Sequence, residues 1–347
     1  MKVPFIYNDI FRYSSYGDHH PVLKRRISNV YDFTKLLSFK DKIKFFYNNE
    51  ADFDTLSLFH TKDYLEVLKE TERLQKISLA NSKKYNLATT SNPIFKEMYK
   101  RHAIATGALV LAGELLENNY NYIFCPGSGA HHGRSNMASG FCYLNDIAVS
   151  ILRLRNSGYT KILYFDMDAH YGDGVVDFFK YEADVCTISI HQKDLWPRTG
   201  YYLEDIKHNT FNFPVNKGFN DIQFKKLIDE NVINRLETFK PEIILMQMGA
   251  DCLKGDKMSD LELSNNSMSY IIKKAKLFSD KIIVMGGGGY NAWITLRAWI
   301  YNLSELIGID HPIILNKKCE AFLENLDKFS KPKANWLNSI EDTPNIF

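Results

Sequence analysis

The segment richest in chemistry is Asp166-Met167-Asp168-Ala169-His170. It follows Ile162–Phe165, an apolar run that reads as a buried strand. Strand side chains alternate, so Asp166, Asp168 and His170 project to one side. Two carboxylates and an imidazole at the end of a buried strand are costly unless they are paired or bind a metal. Their oxygen and nitrogen donors suit a divalent ion such as zinc. A solvated acidic loop accounts for either aspartate alone. It accounts less well for all three, followed by Tyr171-Gly172-Asp173-Gly174.

Asp251, in Gly249-Ala250-Asp251, is a third plausible ligand beside Asp168 and His170. Three protein ligands leave a position for water, as in a catalytic zinc site. Such a zinc lowers the pKa of its water and polarises a carbonyl. Alone, Asp251 also reads as a helix cap. His131-His132 sits in a glycine-rich loop. Next to a metal the pair offers a base for the water and an acid for a leaving amine. Each needs a carboxylate to set its tautomer, and Asp166 and Asp173 are spare acids in the right segment. Asp173 also reads as a turn residue. Gly286–Gly289 lets the backbone approach a ligand closely. Walker A spacing is missing there, which argues against a phosphate loop. Tyr290 then offers a hydroxyl to an oxyanion, or else packs in the core. Gly140-Phe141-Cys142-Tyr143-Leu144-Asn145-Asp146 reads as a core turn into a helix capped by Asn145.

These clusters need elements to hold them. Short apolar runs recur at Val3–Tyr7, Tyr122–Cys125, Ile162–Phe165, Val185–Ile190, Ile243–Met248 and Ile282–Met285. Helical patterns cover Asn92–Asn118 (broken near its start), Asn145–Asn156, Ile222–Thr238, Ser264–Phe278 and Ala292–Ile307. The alternation predicts an α/β fold, one open domain with a mostly parallel sheet flanked by helices. In such sheets ligands bind beyond the carboxyl ends of the strands, where the polar clusters of this chain collect. No repeat or linker divides residues 1–347, and the polar stretch 330–347 reads as a loosely packed tail.

The 347 residues carry 43 basic and 41 acidic side chains, a net charge of +2 that points to no nucleic-acid or membrane partner. No run reaches the 18 or so apolar residues of a membrane span. The N-terminus meets Asp9 too soon for a signal core. Five cysteines without CxxC spacing read as reduced thiols of a cytoplasmic protein. Nothing in the sequence indicates an oligomeric state.

Gly-Ala-His131-His132, Gly140-Phe141-Cys142, Asp166-x-Asp168-x-His170-x-x-Asp173-Gly174, Gly249-Ala250-Asp251 and Gly286-Gly-Gly-Gly-Tyr290-Asn291, in this order, resemble the zinc-dependent histone deacetylase family. The likeness spans about Tyr16 to Leu303 and is nearest to class I and bacterial acetoin-utilisation-type enzymes. It implies the arginase–deacetylase fold with about eight strands. It implies zinc on Asp168, His170 and Asp251, although the same ligands accept iron(II). It further implies His132 as general base with Asp173, His131 with Asp166 as its electrostatic partner, and Tyr290 as oxyanion donor. Phe141 and Trp196 would line the acyl-lysine tunnel, with Met258 on its wall and Gly140 near the substrate amide. Arg26 would line an internal acetate pocket. A structural potassium would sit on Asp166, Asp168, His170, Ser189 and Ile190.

Two positions depart from the family. The tunnel wall reads Trp196-Pro197-Arg198-Thr199-Gly200, where the family has Phe followed by Pro-Gly-Thr-Gly. Ser91 stands where a rim aspartate grips the substrate backbone. The resemblance thus implies removal of acetyl or another short acyl group from lysine in peptides or proteins. A small acetylated amine, such as an acetylpolyamine, is the alternative substrate. An arginase-like two-metal site wants Asp-x-Asp, but Asp251 is followed by Cys252-Leu253. A non-catalytic acetyl-lysine binder would be favoured by loss of Tyr290 or of a ligand, and all are present.

Overall fold

A computed structural model of the chain describes residues 2–205, 207–327 and 332–347. Its centre is a nine-stranded sheet in the order β2-β1-β3-β9-β8-β4-β5-β7-β6. The strands are β1 (Val3–Tyr7), β2 (Ile43–Tyr47), β3 (Tyr122–Cys125), β4 (Ile162–Asp166), β5 (Val185–Gln192), β6 (Leu203–Asp205), β7 (Thr210–Val215), β8 (Ile243–Gln247) and β9 (Ile282–Met285). All neighbours run parallel except β6, which is antiparallel to β7 at the edge.

Both faces of the sheet are covered, as a parallel sheet requires. Alternate residues of each central strand serve different layers. Leu163, Phe165, Ile244, Met246, Ile282 and Val284 face a core shared with helices Arg26–Thr34, Asn265–Ala275 and Ala292–Ile307. Ile162, Tyr164, Ile243, Leu245, Ile283 and Met285 face the opposite layer, built on helices Met98–Glu117 and Asp146–Asn156. With both faces buried, the strands read as continuous apolar runs rather than alternating ones.

The sheet has one strand more than the eight expected. Of the three strands not anticipated, β2 is a half-exposed edge strand, β6 has three residues, and β7 carries Asn212 and Pro214. Such residues are depleted in strands and masked the apolar pattern. The expected helix Asn92–Asn118 begins only at Met98. The stretch read as Ile222–Thr238 is Asp221–Leu227, a π-helical segment Ile228–Val232, and Ile233–Phe239. All five cysteines are buried and unpaired.

Against the expectation of a loosely packed tail, residues 336–342 are held to the body of the fold. Ser330 and Lys331 lie outside the described residues. Ile340 is fully buried, and Arg297 donates to Ser339 O, Asp342 Oδ1 and Glu341 O at 3.0, 2.7 and 2.9 Å. Asn265 Nδ2 donates to Ile340 O at 2.8 Å. The tail is polar because it is tied down by hydrogen bonds and ion pairs.

Candidate active site

The register places the carboxyl ends of five adjacent strands on one rim. Cys125 is level with Met285, Met285 with Gln247, Gln247 with Asp166, and Asp166 with Ser189. The His131-His132 loop, the Asp/Asp/His cluster, Asp251 and the four-glycine loop each leave from this rim.

Beyond Asp166 the chain turns, held by its own aspartates. The N–H of Asp168 donates to Asp166 Oδ1 at 3.0 Å, and that of His170 to Asp168 Oδ1 at 3.1 Å. Met167 and Ala169 enter the core, so Asp166, Asp168 and His170 share the other side. Donor atoms of Asp168, His170 and Asp251 lie within 4.8 Å of one another, all buried. His170 Nδ1 is 3.2 Å from Asp168 Oδ1 and 3.0 Å from Asp251 Oδ2. The backbone supports the acids: Gly288 N donates to Asp168 Oδ2 at 2.7 Å and Ala169 N to Asp251 Oδ1 at 3.0 Å. A Cβ at Gly288 would run into the Asp251 carboxylate, so glycine is required for this approach. Burial and the neighbouring Asp168 push the Asp251 carboxyl well above its ordinary range. Two enclosed carboxylates beside an imidazole are a donor set that fits a divalent cation and is strained without one.

Each histidine of the loop has an acid on its Nδ1. His131 Nδ1 is 2.8 Å from Asp166 Oδ2, which also accepts from the Tyr164 hydroxyl at 2.6 Å. His132 Nδ1 is 2.7 Å from Asp173 Oδ1. Their environments differ. Burial opposes charge on His131, but Asp166 and Asp168 outweigh it and raise its pKa to about 9. Burial and the charge of His131 lower His132 to about 4. One imidazole is therefore held charged and the other neutral, the separation that acid–base pairs show.

Tyr290 lines the same cavity as His131, His132, Asp168 and His170. Burial and the charges of Asp251 and Asp168 keep its hydroxyl protonated. Its ring is 6.2 Å from that of Phe141. Met258 and Phe141 both pack against the apolar cluster that holds Tyr290. The Trp196 indole lies 4.6 Å from the His132 ring and 6.4 Å from that of His170, and is 44% exposed. It is seated on Gly140, whose φ of 51° and contact with the indole leave no room for a side chain. Arg26 Nη1 donates to Gly289 O at 3.0 Å, and Arg26 lines the cavity. Asp166 and Ser189 are register partners, with Ile190 next along β5. Ser189 Oγ is 2.9 Å from His191 Nδ1.

Several supporting residues escaped the sequence reading. Asp256 Oδ2 accepts from the N–H groups of Tyr290 and Asn291 at 2.7 and 3.1 Å and so orients Tyr290. Asp146 accepts from Gly129 N and Ala130 N at 2.9 and 2.8 Å and anchors the histidine loop. Asn92 Oδ1 accepts from Phe141 N at 3.1 Å. Each looks like a turn or cap residue in sequence. The one signal was that Asp146 closes the Gly140–Asp146 run already singled out and that Asp256 is an acid shortly after Asp251.

The histone deacetylase domain model matches residues 20–306. The chain belongs to the histone deacetylase family. It is 29% identical to histone deacetylase clr6 of Schizosaccharomyces pombe over 88% of this chain and 77% of that one. Against acetoin utilization protein AcuC of Bacillus subtilis the identity is 31%, over 88% of this chain and 82% of that one. A crystal structure of an HDAC homolog complexed with SAHA superposes with a TM-score of 0.89 at 31% identity, covering 99% of this chain and 95% of that one. The HDAC homolog from Aquifex aeolicus gives the same values. The fold is therefore the arginase–deacetylase fold, and the chain is an AcuC-like deacetylase, a hydrolase of amide bonds. The family is metal-dependent and acts on acetylated substrates. Among the described residues no helix is long and apolar enough to cross a membrane.

Proposed function

We propose that this histone deacetylase family member removes acetyl or another short acyl group from lysine side chains, with zinc on Asp168, His170 and Asp251. The observation that carries the reading is the convergence of those three buried donors with two His–Asp pairs and Tyr290 around one cavity. Zinc there supplies a Lewis acid that activates water and polarises the acyl carbonyl. His132, with Nδ1 tied to Asp173, offers Nε2 to take a proton from water and to return it to the leaving amine. His131, paired with Asp166, is the electrostatic partner beside it. Tyr290 donates its hydroxyl to the tetrahedral oxyanion. Phe141 and Trp196, with Met258 on the wall, take the acyl-lysine stem, whose charge the acyl group has removed, and the Gly140 carbonyl lies near the substrate amide. Arg26 faces departing acetate. Potassium on Asp166, Asp168, His170, Ser189 and Ile190 would brace the strand ends through hard oxygen donors.

Ser91 favours a second substrate, a small acetylated amine that needs no grip on a peptide backbone. Its side chain is exposed and its carbonyl is 3.3 Å from His20 Nε2. Acetate release from an acetyl-lysine peptide and from an acetylated polyamine, on zinc-loaded and chelator-stripped protein, separates the two. Faster chelator-sensitive turnover of the peptide supports the lysine reading. Faster turnover of the polyamine replaces it. Release from neither overturns deacetylation of both substrates.

A further inference from the structure

Arg134 has no part in the chemistry above, yet it ends on a residue that does. The two carboxylate oxygens of Asp173 have different partners. Oδ1 pairs with His132 Nδ1 at 2.7 Å, and Oδ2 accepts from Arg134 Nη2. Arg134 Nη1 donates to the Asp173 carbonyl oxygen at 3.1 Å and to Asp177 Oδ2 at 2.7 Å. The Arg134 side chain is 32% exposed and that of Asp173 only 4%. The guanidinium thus reaches from the surface to an enclosed acid, unlike an exposed ion pair of little worth. Its base is fixed as well, since Arg134 N donates to Met137 O at 3.0 Å. Gly174, lying against the carbonyl groups of the histidine loop, brings the start of helix Asp173–Phe179 alongside.

We propose that Arg134 is a positioning residue for deacylation: it fixes the Asp173 carboxylate, so that His132 keeps its proton on Nδ1 and presents a bare Nε2. This rests on the reading of His132 as the base. A buried carboxylate with one partner has a free oxygen and can rotate. A rotated carboxylate lets the imidazole tip or change tautomer. The planar fork of arginine takes that oxygen and the main-chain carbonyl of the same residue, which leaves the carboxylate one orientation. Asp177 holds the fork from the solvent side.

The test compares Arg134→Met and Arg134→Lys in zinc-loaded full-length protein acting on an acetyl-lysine peptide. Arg134→Met is expected to lower kcat about 10- to 100-fold with KM nearly unchanged. Arg134→Lys, which restores one charged donor, should recover much of that loss. Loss of the cation beside an enclosed acid should lower the melting temperature of Arg134→Met, so kcat is compared below that transition. Wild-type kcat in Arg134→Met overturns the proposal. So do equal losses in both variants with lowered melting temperatures, because a loosened fold would then explain them. Ring-nitrogen NMR of His132 gives a reading independent of turnover. The Nδ1–H tautomer is expected in the wild type and a mixture in Arg134→Met, and identical spectra overturn the inference. Failure of the wild type to release acetate removes the lysine-deacylase reading and leaves the tautomer result to judge Arg134.

Discussion

His311 gives a stability prediction that can be worked from the structure. It lies between helix Ala292–Ile307 and the C-terminal tail. Nδ1 is 2.8 Å from Glu341 Oε1 on the tail, and Nε2 is 2.8 Å from Glu305 Oε1, out of line for a hydrogen bond. Burial opposes its charge, but the two carboxylates outweigh burial and raise its pKa to about 9 from 6.5. A raised histidine stabilises the fold fully below its unfolded pKa, and that contribution is lost as pH rises through the folded value. The shift corresponds to about 3 kcal/mol, present near pH 6 and gone by about pH 10. Glu305 and Glu341 work in the opposite sense. Both are held below the ordinary range despite burial, so their contribution is lost on acidification. Urea unfolding of wild type and His311→Gln at pH 6, 8 and 10 reads the histidine, because groups far from position 311 cancel in the difference and the lowered glutamates of the wild type titrate on the acid side of this range. The stability gap should shrink by about 3 kcal/mol between pH 6 and pH 10. A gap independent of pH would refute the reasoning.

Other consequences are as direct. Tyr290→Phe should lower kcat about 10²- to 10³-fold with substrate still bound, and unchanged turnover removes Tyr290 from the mechanism. Gly288→Ala places a methyl group against the Asp251 carboxylate. Zinc affinity by chelator competition should fall about 10- to 100-fold, and wild-type affinity would show that the loop does not shape the ligands. Trp196→Phe should change the ratio of kcat/KM for acetyl against longer acyl-lysine by about tenfold while metal content stays constant. Identical acyl profiles would mean that the indole on Gly140 does not set specificity.

What was legible in the sequence follows from cost. Asp166, Asp168 and His170 stand at the end of an apolar strand, where unpartnered polar groups are expensive, so their type and spacing already pointed to a metal or to ion pairs. The central strands, buried on both faces, announced themselves as apolar runs. The edge did not. β2 needs only half a buried face, and β7 tolerates Pro214 because β6 pairs only as far as Asn212, whose side chain donates to the Tyr171 hydroxyl.

The supporting acids were hidden for a different reason. Asp256 follows Gly255, Asp146 follows a capping asparagine, and each satisfies a local rule for turns or helix starts. Their partners are residues 34 and 16 to 17 positions away, and such pairs exist only once the sheet has brought four loops to one rim. The same holds for Arg134, 39 positions from Asp173, and for Glu341, 30 from His311. In this chain the groups that would do the chemistry are marked by local strand context. The groups that orient them are marked only by topology. Substitutions at the second kind should therefore change rate or pH dependence while leaving the family's motif pattern intact.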